Sequence, residues 1–245
     1  MNSLTEDCFL HGRISARQPM RGFRSGLDAV MLAAAVPAED DDDVLELGSG
    51  AGVASLCLGA RCASCRVTGV ETILTLVELA NANARANGLE DRIRFVAGDA
   101  LAPPPELRRS FDHVFANPPF HDHTGDVSPD SDRAAALTDN GRLDGWLLSG
   151  LQRLRSRGTF TTVLRADRLA EALAHLPPSG TTVFPLWPRI DQAAKRVIVQ
   201  VRKGSRAPLS LLPGLVLHEA DGGYTPAADA VLRGGGSLAL RSRSL

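Results

Sequence analysis

Short apolar runs alternate with longer stretches in which apolar residues recur at helical spacing. Val44–Leu47, Arg66–Val70, Ile93–Val96, Phe111–Ala116 and Gly158–Leu164 read as strands, each bounded by turn residues or charge. Between them, Leu74–Ala86 has the period of a helix and stops at Asn87-Gly88, a pair suited to the left-handed turn that closes one. Ser25–Ala35 is rich in alanine and leucine, with Ser25 or Asp28 placed to begin a helix. Further helices are predicted over Val53–Leu58, Leu143–Leu154 and Asp167–Leu176, the last begun by Asp167 and stopped by Pro177-Pro178. Thr181–Leu186 and Arg196–Val201 read as an antiparallel pair, and strand-like pieces within Leu211–Glu219 precede a frayed Gly/Ser/Arg end.

Strands alternating with helices and followed by a hairpin predict the α/β class. The expected architecture is a doubly wound, Rossmann-like sheet of seven strands, mostly parallel, with an antiparallel hairpin at its edge. A chain of 245 residues fits one such domain over 1–245, with an N-terminal cap segment, 1–35, and a C-terminal extension, 204–245. The polar stretch His121–Asp139, which contains Pro129, reads as a loop.

An apolar fraction of 44% and a charged fraction of 22% are those of an ordinary globular protein. No run approaches the roughly 20 apolar residues of a membrane span. Met1–Leu10 carries Glu6 and Asp7 and lacks a signal pattern, so cytoplasmic residence is expected. The oligomeric state is left open. The net charge of −1 is not that of a general nucleic-acid binder, but its signs are segregated. Arg13, Arg17, Arg21 and Arg24 lie early, Arg189, Lys195, Arg196, Arg202, Lys203 and Arg206 lie late, and Glu39–Asp43 concentrates acid in what reads as a solvated turn. Cys62-x-x-Cys65 lacks the partners of a zinc set and reads as reduced thiols on or after a helix.

The chemistry gathers in two loops. Glu46-Leu47-Gly48-Ser49-Gly50-Ala51-Gly52 leaves the first strand, and such a turn brings backbone close to a ligand and aims amides at it from a helix start. Glu71 ends the next strand, where an acid can accept ribose hydroxyls, and Asp99 follows the third, within reach of an adenine amino group. Glu46 is placed to face the positive end of a cofactor. A dinucleotide fingerprint, GxGxxG, would need glycine where Val53 stands, so the pattern favours S-adenosylmethionine over NAD.

Asn117-Pro118-Pro119-Phe120 leaves the fourth strand. The Asn117 side-chain oxygen and the Pro118 carbonyl are two acceptors for one NH₂ group, held by proline-restricted backbone, and Phe120 offers a flat face for stacking. A conjugated amine is a poor nucleophile; acceptors on its hydrogens localise its lone pair toward an electrophilic methyl group, and alignment supplies the rest. No metal is needed, so His121-Asp122-His123 with Asp126 reads as a loop that closes over substrate. Gly22–Asp28 reads either as a cover for the cofactor or as a capped amphipathic helix. Trp146 and Trp187 read as core or hairpin packing.

With both loops in view, the chain resembles class I methyltransferases bearing Asn-Pro-Pro-Tyr/Phe. Most similar is the bacterial tRNA adenine-N6 methyltransferase family acting beside the anticodon of a valine tRNA. The likeness includes Gly22-Phe23-Arg24-Ser25-Gly26-Leu27-Asp28, Leu45–Gly52, Asn117–Phe120, Ala194-Lys195-Arg196-Val197-Ile198-Val199 and Leu217-His218-Glu219. It implies S-adenosylmethionine as cofactor and tRNA as partner. In that reading Asn117 and Pro118 bind the target amino group and Phe120 stacks its base. Arg24, Lys195, Arg196, Arg202 and Lys203 are candidates for RNA contact. Phe120 stands where the family more often has Tyr. Asn-Pro-Pro-Phe-His is shared with rRNA guanine-N2 enzymes, which usually carry a second methyltransferase-like domain. Release-factor glutamine enzymes usually carry an N-terminal helical domain, which the residues before Gly22 are too few to build. A non-catalytic cofactor- or RNA-binding module is the alternative of a different class.

Overall fold

A computed structural model of the protein describes residues 3–119 and 143–240. In chain order the elements are β1 (Leu4–Phe9), β2 (Ile14–Pro19), α1 (Leu27–Ala35), β3 (Asp43–Leu47), α2 (Val53–Arg61), β4 (Arg66–Glu71), α3 (Leu74–Ala86), β5 (Ile93–Ala97) and β6 (Phe111–Ala116). After the segment outside the description come α4 (Leu143–Gln152), β7 (Leu154–Arg165), α5 (Leu169–His175), β8 (Thr181–Trp187), β9 (Arg196–Arg202), β10 (Ser210–Leu211), β11 (Leu215–Val216) and α6 (Pro226–Leu232).

β1 and β2 form a separate hairpin. The other strands form one sheet ordered β10-β8-β9-β7-β6-β3-β4-β5, with β11 also paired to β8. The α/β class and the mostly parallel sheet agree with the sequence pattern. The strand count does not: the sheet has nine strands where seven were expected. The additional pair, β10 and β11, are dipeptides separated by Leu212-Pro213-Gly214, too short to show a period of their own. They pair in parallel with β8, so the expected hairpin, β8 with β9, is not the edge of the sheet. β9 is inserted between β7 and β8, antiparallel to both.

Two apolar layers cover the sheet. α1, α2, α3 and α6 pack on one face, where Met31, Leu32, Leu56, Leu58, Ala80, Phe115 and Val231 are buried. α4 and α5 pack on the other, over Leu45, Leu47, Phe111, Phe160, Leu147 and Ala172. Phe111, Phe115 and Phe160 are fully buried, each contributing about 1.5–3 kcal/mol of transfer free energy.

Several sequence expectations shift at their boundaries. α1 has Gly26, rather than Ser25 or Asp28, at its N-cap, and no side chain caps it. α4 ends at Gln152, and Leu154 already begins β7. The helix expected from Asp167 opens as a 3₁₀ turn, Ala166–Arg168, with Asp167 paired to Arg165. In the acidic run Glu39–Asp43, Glu39, Asp40 and Asp41 are exposed in a turn, as expected, but Asp42 and Asp43 are half-buried and paired. Asp42 accepts from His113 Nε2 (3.1 Å), Asp43 pairs with Arg109, and Asp40 bonds the Ser64 amide (3.2 Å), fastening the N-terminal ends of β3 and β6. Cys57, Cys62 and Cys65 are buried free thiols on or just after α2, as expected, and Cys8 is exposed. No helix among the described residues is long and apolar enough to cross a membrane.

Candidate active site

Chain order reverses direction between β3 and β6. From β3 the chain winds through β4 to β5, then returns to lay β6 against the other side of β3. In open parallel sheets the crevice beyond the strand ends at such a reversal is where ligands bind. The glycine turn and Asn117 flank this crevice. Leu47 and Ala116 are register partners in β3 and β6, so Gly48 and Asn117 are the first residues past the ends of adjacent strands, whose axes in such sheets lie about 4.8 Å apart.

The glycine turn is fixed from below. The Gly48 and Ser49 amides both donate to the Val70 carbonyl, at 2.9 and 3.1 Å, and the Gly52 amide returns to the Ser49 carbonyl at 2.9 Å. Gly48, Gly50 and Gly52 all have positive φ, +69°, +54° and +85°, a region that costs other L-residues energy. Their surroundings differ. A Cβ on Gly48 would lie 2.7 Å from the Trp146 ring and one on Gly52 would lie 2.6 Å from Phe95, so these two glycines make room for the core. A Cβ on Gly50 would meet no protein atom within 4 Å. Gly50 borders open space at the strand ends, where the absence of a side chain leaves a cradle for a ligand.

The expected acceptors line up across β3, β4 and β5. Glu71, at the end of β4, accepts the Gly50 amide on Oε2 (2.9 Å) and the Ile73 amide on Oε1 (3.0 Å), so its carboxylate shapes the cradle wall. Asp99, just past β5, is exposed and accepts the Leu101 amide at 2.8 Å. Glu46 lies elsewhere: its side chain is 3% exposed, faces α2 and accepts the Ser55 hydroxyl. Burial, opposed by the Ser55 bonds and reinforced by the Glu71 charge, pushes its pKa up to about 8. Glu46 supports the turn from beneath as a largely protonated acid at neutral pH.

On the β6 side, Pro118 is buried, and Asn117 Oδ1 is one of six buried side-chain polar atoms with no hydrogen-bond partner among the described residues. Buried polar atoms are rarely left unpaired, and a ligand donor is one of the few explanations. Phe120, expected to stack a base, and His121-Asp122-His123 with Asp126 lie outside the described residues.

The structure divides the five basic residues expected at RNA. β9 runs antiparallel, so Arg196 lies beside Arg165 at the C-terminal end of β7, and Arg202 lies beside Thr159 near its start. Lys195 and Arg196 therefore stand at the cradle end, and Arg202 and Lys203 at the opposite end of the sheet. Lys203 Nζ donates to the Leu154 carbonyl (2.7 Å). Arg196 donates to Asp28 of α1 (2.9 Å), and Arg24 pairs with Asp7 (2.7 Å). Lys195 is exposed.

Sequence reasoning missed three supports of the site. Trp146 is core packing, as expected, but the core it packs is the Gly48 turn. Ser55 satisfies Glu46. Asn83, 1% exposed, donates to the carbonyls of Ala51 (3.0 Å) and Arg17 (2.9 Å) and accepts the Arg17 amide (3.0 Å), fastening hairpin β1–β2 to the glycine turn. The Asn83-x-x-x-Asn87 spacing, which puts two amides on one helix face, was a usable signal; Asn87 bonds the Ser15 backbone likewise.

Comparison with known proteins agrees with this geometry. Residues 26–143 match the family described as Methyltransferase small domain. A tRNA1(Val) (adenine(37)-N6)-methyltransferase of Actinobacillus pleuropneumoniae is 28% identical over 82% of this chain and 84% of its own. One of the same name from Porphyromonas gingivalis is 28% identical over 90% of this chain and 91% of its own. Among solved structures, a predicted O-methyltransferase of Agrobacterium tumefaciens superposes with a TM-score of 0.74 at 25% identity, covering 88% of this chain and all of that one. A SAM-dependent O-methyltransferase of Thermotoga maritima shares the fold, with a TM-score of 0.54 at 18% identity over 75% of this chain and 67% of that one. The open side of Gly50 and the unpartnered Asn117 oxygen fit the cofactor these proteins imply. Residues 26–143 thus match the methyltransferase small-domain family, and the chain is a methyltransferase dependent on S-adenosylmethionine.

Proposed function

We propose that this chain methylates the exocyclic N6 amino group of an adenine in tRNA, in the anticodon loop beside the anticodon. The observation that carries the reading is the buried Asn117 Oδ1, an acceptor without a partner among the described residues, one residue past β6 and next to the glycine cradle. The relatives named for tRNA adenine methylation, aligned over most of the chain, supply its substrate class.

When bound, S-adenosylmethionine supplies a methyl group made electrophilic by its sulfonium. The glycine turn, with Glu71 and Asp99 beyond it, would hold that cofactor, and Glu46 would support the turn without touching it. Asn117 Oδ1 and the Pro118 carbonyl would take the two hydrogens of the target NH₂, fixing the nitrogen with its lone pair toward the cradle. No strong base is required, since the proton leaves only after nitrogen has become cationic. An anticodon-loop base is single-stranded, so presenting it costs less than flipping one from a duplex. Lys195, exposed at the cradle end, and Arg196 beside it would meet RNA phosphates; Arg202 and Lys203 stand too far down the sheet to act at the same mouth.

Purified protein with methyl-labelled cofactor should label total tRNA, and nuclease digestion should release N6-methyladenosine. Label recovered as methylated guanine from rRNA, or as methylglutamine from release factor, would replace this reading. No label on any of these would favour a non-catalytic module.

A further inference from the structure

Loop Pro19–Arg24 joins β2 toward α1 and is built with a fixed base and a bare tip. Gln18, 1% exposed, fastens the base: its Nε2 donates to the Ser25 carbonyl (3.1 Å) and its Oε1 accepts the Ser25 amide (2.8 Å). The same Nε2 donates to Asp7 (2.9 Å), whose carboxylate also takes the Arg24 guanidinium (2.7 Å). Beyond this clasp, Met20, Arg21, Gly22 and Phe23 are all exposed, Met20 to 56% and Phe23 to 59%. Phe23 is the only exposed Phe, Tyr or Trp among the described residues. Arg21, unlike Arg24, has neither an ion pair nor a hydrogen bond from its guanidinium among the described residues.

The tip stands at the mouth of the site. Asn83 of α3 and Asn87 just past its end bond Arg17 and Ser15 of β2 in turn, so β2 runs antiparallel to α3 and climbs toward that helix's start. α3 begins at Leu74, just past Glu71 at the C-terminal end of β4. On its other side the loop enters α1, whose Asp28 bonds Arg196 at the C-terminal end of β7. The tip therefore projects at the cradle end of the sheet, between the start of α3 and the start of α1.

We propose that the Met20–Phe23 tip is a second contact for the RNA substrate, with Phe23 stacking on an unpaired base beside the target and Arg21 pairing with a phosphate. The inference rests on the RNA reading above and adds a binding surface to it. An apolar face flanked by an unneutralised cation and bearing no acid complements a splayed single strand, which presents both π-faces and phosphates. The Gln18 clasp holds the tip before RNA arrives, so little ordering entropy opposes docking.

The experiment compares wild type with Phe23→Ala and Arg21→Ala. Binding of transcribed, unmodified valine tRNA is followed by fluorescence anisotropy across a salt series, cofactor binding by calorimetry, and oligomeric state by sedimentation. Phe23→Ala should weaken tRNA binding roughly five- to a hundredfold. Arg21→Ala should reduce the slope of log affinity against log salt by about 0.7–0.9. Cofactor affinity and oligomeric state should not move. Unchanged tRNA binding in both variants, with wild type methylating tRNA, would refute the tip alone. Wild type that binds cofactor but not RNA would refute the substrate reading and the tip together. Cofactor affinity falling in step with tRNA affinity would make the tip a cofactor cover, and a change in oligomeric state would make it a self-contact; either outcome overturns the proposal.

Discussion

Asn117 was legible in the sequence because its neighbours are prolines and an apolar run precedes it, which together predict a rigid turn at a strand end. What the sequence did not show is that its Oδ1 is buried and has no hydrogen-bond partner among the described residues. Asn117→Ala should leave cofactor affinity by calorimetry nearly intact while single-turnover methylation falls about 10²–10³-fold, the usual effect of removing one preorganised polar contact. Equal loss of both would make the residue scaffold. The three glycines look alike in sequence and separate in the structure. Gly52→Ala drives a methyl into Phe95 at positive φ and should destabilise the fold by about 2–4 kcal/mol in urea titration. Gly50→Ala meets no protein atom, so it should cost only about 1–2 kcal/mol of backbone strain. It should nonetheless weaken cofactor binding about tenfold, or about 1.4 kcal/mol. Glu46 was expected to face the cofactor, but it lies within β3 and its environment was not legible, because burial depends on α2 closing over it. Its folded pKa of about 8 lies above the ordinary carboxyl value of 4.5, so the folded state holds an extra proton between those values. Its contribution to stability is complete below pH 4.5 and declines until pH passes 8. Glu46→Gln should therefore flatten that decline in thermal-unfolding midpoints between pH 5 and 9, and raise the midpoint over wild type at the alkaline end.

Elements with a strong period were found almost residue for residue. Leu74–Ala86 is α3 with the bounds its spacing predicted, and Phe111–Ala116 is β6, because each has an apolar face or run and a definite stop. Hairpin β1–β2 was missed. β1 alternates exposed and half-buried positions without a fully buried one, so its polar pattern reads as a tail. The hairpin is an element chiefly because α3 binds it, through amides whose partners lie 66 and 72 positions away. Asn83→Ala removes three bonds at once, one of them buried, leaving the Ala51 carbonyl without its Asn83 partner, and should cost about 2–4 kcal/mol. Amide exchange should quicken first in β1, β2 and the glycine turn; uniform quickening through the sheet would mean that Asn83 supports the whole fold and not this joint. Helix α6 was also missed, although its Thr225-Pro226 start is a recognisable cap, with Thr225 Oγ1 accepting the Ala228 amide at 3.1 Å. The surrounding glycines and serines outweighed that single signal.

At the scale of the whole molecule, function depends on how strands are ordered, and order is not written locally. The reversal between β3 and β6 brings a loop near position 50 beside one near position 117 and makes a crevice of two turns. The same topology divides the basic residues. Lys195 and Lys203 are close in sequence, yet an antiparallel β9 carries them to opposite ends of the sheet. Charge clustering in sequence counted them together; only the direction of the strand separates them.

The sequence by itself determined the α/β class, most strands and helices, and the two loops proposed to hold the chemistry. Those features are local: a period, a cap, a glycine where φ must be positive, a proline that stiffens a turn. Tertiary structure alone decided the nine-stranded order, the inward burial of Glu46, the Trp146 and Phe95 walls behind the glycines, and the placement of the Met20–Phe23 tip at the mouth. Each of these follows from contacts between distant segments, whose loop-closure cost is met only when the whole sheet forms.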